Sequence, residues 1–178
     1  MQARGLLMIE HRLIERMIAL VEGALARIES AGEVDPALVD TAVDFIRTYA
    51  DRTHHGKEED ILFRDLAERD LSAGDRRLMR ELIAEHVHGR ETTAALVAAN
   101  DRYRKGDAAA LADVAAALRA LVAFYPRHIA KEDEVFFPAA RGYLTDEEDQ
   151  AMLAEFRRFD AGMIHDKYRS LVEGLEGD

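Results

Sequence analysis

Residues 53–63 read Thr53-His54-His55-Gly56-Lys57-Glu58-Glu59-Asp60-Ile61-Leu62-Phe63, and the same order of chemistry returns as Arg127-His128-Ile129-Ala130-Lys131-Glu132-Asp133-Glu134-Val135-Phe136-Phe137. Aligned on His54 and His128, both read His-x-x-Lys-Glu-acid-acid-β-branched-apolar-Phe. The segments ahead of them repeat as well: Ile9-Glu10-His11 matches Ala84-Glu85-His86 at nearly the same offset. The chain therefore carries one pattern twice, Glu-His on a first helix and His-x-x-Lys-Glu on a second. Each copy supplies two imidazoles and one carboxylate on helical faces. Two such sets facing each other make a site for two metal ions.

The helical wheel sets these groups inward. Successive helical residues are about 100° apart, so Ile61 and Val43 fall about 20° to one side of His54 and Glu58 about 40° to the other. His54 and Glu58 thus share the stripe that must be buried. Around His128 the arithmetic repeats, with Val135 and Ala117 in the places of Ile61 and Val43, and Glu132 in that of Glu58. His11 shares its face with Leu7 and Ile14, and His86 with Leu82. Burying an ionised group alone costs many kcal/mol, so these groups need partners. A lone His-x-x-x-Glu pair is most often an exposed contact worth a few tenths of a kcal/mol; two inward pairs with two inward Glu-His dipeptides point to metal. Glu10 and Glu85, beside the first-helix histidines, fit a place behind the ligands or on the surface better than one among them. His55 stands at the edge of the stripe, either completing one metal's shell or packing at a helix interface. His88 points away from His86, and His165, with Tyr168 and Leu171, lies on a later helix, where it either covers the site, adds a ligand or sits on the surface.

The rest of the sequence supplies helices to carry this pattern. Leu7, Ile14, Met17, Val21, Leu25 and Ile28 recur at helical spacing up to a stop at Gly32. Asp35-Pro36 is an N-cap followed by proline at the first helical position, and the second helix runs to about Arg69. Gly56 within it is a place for close approach by a neighbour. A third helix spans about Asp75 to Lys105. A fourth follows Gly106-Asp107 and passes His128 to about Ala140, with Pro126 expected to kink it or force a wider turn. Thr145-Asp146-Glu147-Glu148 is a capping box that opens a fifth helix to about Gly174. No stretch alternates like a strand. The expected fold is all-α, an up-down-up-down four-helix bundle over about 5–141 with an additional C-terminal helix over about 145–175, all in one domain of residues 1–178.

Composition narrows the chemistry. The 178 residues are 48% hydrophobic and 33% charged, the balance of a soluble globular chain. No cysteine is present, which excludes disulfides, thiolate zinc sites, Cys-ligated iron–sulfur clusters and a Cys nucleophile. A net charge of −11 argues against nucleic-acid binding. No apolar run approaches the ~18 residues of a membrane span, and the N-terminus is too polar for a signal peptide, so a cytoplasmic protein is expected. Imidazole and carboxylate ligands without thiolate suit iron or manganese better than zinc. Two octahedral ions have about twelve coordination positions. Five histidines, two bridging carboxylates and a bridging oxide or hydroxide leave roughly one open for a small ligand.

On these residues the chain resembles the hemerythrin-like proteins, the His-His-Glu cation-binding family. The resemblance covers His11 through Glu132 and implies His11, His54, Glu58, His86, His128 and Glu132 as metal ligands. In the iron-sensing branch, the residue corresponding to His55 is also a ligand. It implies two iron ions with a bridging oxo or hydroxo group, and dioxygen, hydrogen peroxide or nitric oxide as the ligand. Two departures stand out. Arg90 replaces a histidine found in oxygen carriers, which weakens simple oxygen carriage and favours redox turnover, such as catalase-like degradation of peroxide, or sensing. The aspartate of the oxygen carriers corresponds to Asp133, but the repeat makes Glu132 the better ligand. The competing function is an iron or redox sensor acting on a protein partner; a third is a helical interaction module without metal.

Overall fold

In a computed structural model, the backbone is described over residues 1–176 and side chains over residues 1–163. The readings at His165, Tyr168 and Leu171 concern side chains outside that range. Five long helical stretches make up the described chain, which has no strand: α1 (Ala3–Ala31), α2 (residues 36–67), α3 (Ala73–Arg104), α4 (residues 110–141) and α5 (Asp146–Glu176).

Local chemistry sets their ends. α1 stops where Gly32 turns left-handed, φ 70°, and returns its N–H to the Ile28 carbonyl. The Asp35 carboxylate accepts from Ala37 N at the start of α2, and Ser72 Oγ accepts from Asp75 N at the start of α3. α5 opens on the reciprocal capping box: Glu148 N donates to Thr145 Oγ1 and Thr145 N to Glu148 Oε2.

Two apolar clusters flank one polar layer. The first gathers Ile14, Val21, Ile46, Leu96, Leu118 and Leu121; the second gathers Leu7, Leu62, Leu82, Phe136, Phe137 and Phe156. Burying such a side chain contributes about 1.5–3 kcal/mol, so two packed clusters can offset the cost of a polar layer between them. On α1 that layer is Glu10 and His11, and on α2 it is His54, His55 and Glu58. α3 contributes His86, and α4 contributes His128 and Glu132. Along α1 and α3 the chain runs from the second cluster to the first, and along α2 and α4 it runs back. α1 packs on α2 and α4, and α3 packs on the same two.

α5 lies against α1 and α2. It comes close at Gly56, where an added Cβ would sit 2.8 Å from the Phe159 ring. Among the described residues Val135 of α4 has no such cover, which corrects the expectation that it is buried like Ile61. Ile61 is buried with Met152, Leu153 and Phe156 of α5, whereas Val135 is 54% exposed.

Residues Ile46–His55, Glu58–Phe63 and Glu132–Phe136 are wound more widely, as π-helix, with carbonyls reaching the N–H five residues on. Such turns are rare and frequent at functional sites. Here they carry His54, His55, Glu58 and Glu132. Pro126 lies within the regular part of α4, Ala110–Lys131, and the wide turns begin six residues later.

Candidate metal centre

The structure brings all seven candidate residues into two groups. His11, His54, Glu58 and Glu132 each offer an atom within 4.8 Å of the others, and so do His55, His86 and His128. All seven are buried. His55 is therefore gathered into the polar layer; its ring stacks on that of His86 with centroids 3.9 Å apart. His88 is exposed, as its position on α3 predicted.

The two carboxylates lie between the groups. Glu58 places Oε1 3.5 Å from His54 Nε2 and Oε2 3.4 Å from His86 Nε2. Glu132 places Oε2 3.2 Å from His11 Nε2 and Oε1 3.2 Å from His128 Nε2. None of these inward nitrogens and oxygens has a hydrogen-bond partner. Buried polar atoms left unpaired cost about 1–3 kcal/mol each. Concentrating so many around one centre fits a site built for cations, and nitrogen and oxygen donors without sulfur fit iron.

Behind the inward atoms stands a second layer. His11 Nδ1 lies 2.7 Å from Asp133 Oδ1, His54 Nδ1 2.8 Å from Glu10 Oε2, His86 Nδ1 2.8 Å from Glu59 Oε1, and His128 Nδ1 2.9 Å from Glu85 Oε2. An ionised carboxylate only accepts, so each Nδ1–H donates outward and each Nε2 faces inward. Each carboxylate also meets a cation. Arg12 pairs with Asp133, Lys57 with Glu10, Arg90 with Glu59 at 2.9 Å, and Lys131 with Glu85 at 2.5 Å. Arg90 thus buttresses the carboxylate behind His86. His55 differs: its Nδ1 faces Asp51 Oδ1 at 3.2 Å, and neither atom is hydrogen-bonded.

Asp51 and Arg12 were not singled out from sequence, and Glu59, Asp133, Lys57, Arg90 and Lys131 were given no place behind the imidazoles. For Glu59 and Asp133 the signal was present, since both copies keep an acid directly after the inward glutamate. Glu10 and Glu85, expected behind the ligands or on the surface, stand behind His54 and His128.

Burial and charge divide the protonation states. Burial pushes His54 down to about 4 and His55 well below its ordinary value. Burial acts the same way on His11, but the Asp133 and Glu132 carboxylates outweigh it and hold His11 up at about 10. Burial and the facing Glu132 charge raise Glu58, while Glu132 is lowered because His128, His11 and His86 outweigh its own burial. Without a cation between them, the two carboxylates share their charge unequally. Aromatic rings close the layer: Phe137 stacks near His11 at 5.7 Å, Phe63 near His86 at 5.9 Å and Phe124 near His128 at 5.1 Å.

A family model described as the hemerythrin HHE cation binding domain matches residues 3–140. The chain belongs to this hemerythrin family. Its match begins and ends with the four helices that carry the polar layer, and a domain of this family binds metal cations. The chain is also similar to proteins described only as uncharacterized, from Mycobacterium tuberculosis and Mycobacterium bovis. Each is 25% identical over 177 residues, covering 95% of this chain and 68% of the relative. No solved structure matches. Among the described residues no helix is long and apolar enough to cross a membrane.

Proposed function

We propose that this hemerythrin-family chain is a cytoplasmic non-haem di-iron protein that binds or turns over a small oxidant: dioxygen, hydrogen peroxide or nitric oxide. In this reading α1 to α4 form an up-down-up-down four-helix bundle with α5 appended. His11 and His54 would hold one iron and His55, His86 and His128 the other, and Glu58 and Glu132 would be shared between them together with a bridging oxo or hydroxo group. The observation that carries it is the division of each carboxylate's oxygens between the two histidine groups.

Iron held this way supplies redox chemistry and a coordination position for the oxidant. The chain's own residues do the rest. The four Nδ1–H donations fix the imidazole tautomers and raise ligand basicity. Phe63, Phe124 and Phe137 limit water around the layer. The pair with two imidazoles has fewer protein ligands than the pair with three, so the oxidant is assigned to the His11/His54 side. Anaerobic loading with ferrous iron followed by air should give a near-ultraviolet oxo-to-iron band, lost in His54→Ala. Steady gas evolution from added peroxide would identify an enzyme. A protein that takes up no iron under these conditions would end this reading.

A second reading, an iron or redox sensor acting on a protein partner, is favoured by one contact. Lys57, behind His54, also binds Asp160 of α5 at 2.6 Å. A metal-state change at His54 thus has a route to a helix outside the four.

A further inference from the structure

Lys57 is fully buried, at 0% exposure. Its Nζ lies between two carboxylates, Glu10 of α1 and Asp160 of α5. Glu10 divides its oxygens as well, Oε1 to Lys57 and Oε2 to His54 Nδ1. One polar line therefore runs from the inward nitrogen of His54 through Glu10 and Lys57 to the fifth helix.

The other half of the molecule supplies the control. There His128, Glu85 and Lys131 repeat the first three members of the line. Lys131 is 26% exposed, however, and its outer partner is Glu81, a half-exposed residue of the same α3 that carries Glu85. Among the described residues, the ion pairs of Lys131 engage no helix beyond α3. The fifth helix makes the difference, and it is seated beside Lys57 by the Phe159 ring over Gly56.

We propose that Asp160 is a positioning residue for the His11/His54 metal site, acting through Lys57 and Glu10, so that metal occupancy there and docking of α5 are linked. The inference rests on the metal reading above. Asp160 takes up part of the Lys57 charge and leaves Glu10 free to accept from His54. Without Asp160, the buried ammonium draws on Glu10 alone and weakens its hold on the imidazole. Losing such outer support of a ligand histidine typically costs about 10–100-fold in metal affinity. Linkage is reciprocal, so metal must favour the docked helix by the same factor that the docked helix favours metal.

The test uses the full chain, ferrous iron under argon, and hydrogen exchange of the amides in residues 150–163. Wild-type protein should gain protection over α5 on loading. Asp160→Asn should bind the weaker iron equivalent roughly 10-fold less tightly and lose the metal-dependent protection, while Asp160→Glu restores both. Glu81→Gln, at the equivalent place in the other half, should leave α5 protection unchanged. Unaltered iron affinity in Asp160→Asn, or α5 protection that ignores iron in the wild type, overturns the linkage and leaves the metal reading standing. A wild-type chain that binds no iron overturns both.

Discussion

The two halves of the polar layer start from one pattern and end in different surroundings. Both copies deliver an imidazole from a Glu-His pair, an imidazole and a glutamate from His-x-x-Lys-Glu, and a carboxylate behind each imidazole. The first copy adds His55 and Asp51 where the second has Ile129 and Tyr125. Its lysine is sealed under α5, and it carries Gly56 where the second copy has Ala130. The shared features are those that the proposed function assigns to cation binding. The features that differ make the two sites unequal, one with a third imidazole and the other tied to an extra helix.

The largest expected effect comes from the residues both halves share. Glu132→Ala or Glu58→Ala should remove both irons, because each side chain faces both histidine groups; metal analysis of the folded variant checks this. Loss of one iron alone would mean the carboxylates serve separate sites. Next, His55→Ile installs the residue of the second copy and should equalise the halves. Iron affinity at the His86/His128 group should drop by at least the roughly 10-fold of a lost outer contact, read by competition with a chelator. An unchanged affinity would return His55 to a packing role.

Protonation sharpens the same contrast. Uptake of iron must expel the proton held by His11, so loading near neutral pH should release protons and tighten as pH rises. In the metal-free protein the raised His11 stabilises the fold below its ordinary 6.5, a contribution lost as pH climbs through about 10. The lowered His54 works oppositely: its contribution is present above 6.5 and disappears as pH falls through about 4. Urea midpoints of the metal-free protein should therefore fall on both sides of the near-neutral range, and loading should flatten that profile.

The smallest effect is at the glycine. Gly56→Ala gains about 1 kcal/mol of helix propensity but drives a methyl against the Phe159 ring, a clash of about 1–3 kcal/mol. A net loss of roughly 1 kcal/mol is expected. Ala130→Gly should instead cost only the propensity of about 1 kcal/mol. A stabilised Gly56→Ala in chemical denaturation would show that α5 stands off from α2.

Much of this was legible in the sequence because a repeat constrains it twice. The helices, their caps and the inward turn of His11, His54, Glu58, His86, His128 and Glu132 follow from periodicity and from the cost of burying such groups unpartnered. What escaped has physical reasons. The burial of Lys57 has no signal in the motif that contains it, because it comes from α1 and α5 packing against α2. Val135 reads as core because its wheel position matches Ile61, but sequence does not say which side the extra helix covers. The wide turns that carry His54, His55 and Glu132 have no propensity signature. The roles of Arg12 and Arg90 depend on cross-helix geometry that spacing does not contain.

The central claim is that two cations hold the polar layer together, and its most direct test is metal stoichiometry. Full-length protein loaded with ferrous iron under argon, freed of excess metal and analysed by mass spectrometry should hold about two irons per chain. A folded, helical protein that retains one iron or none would contradict it.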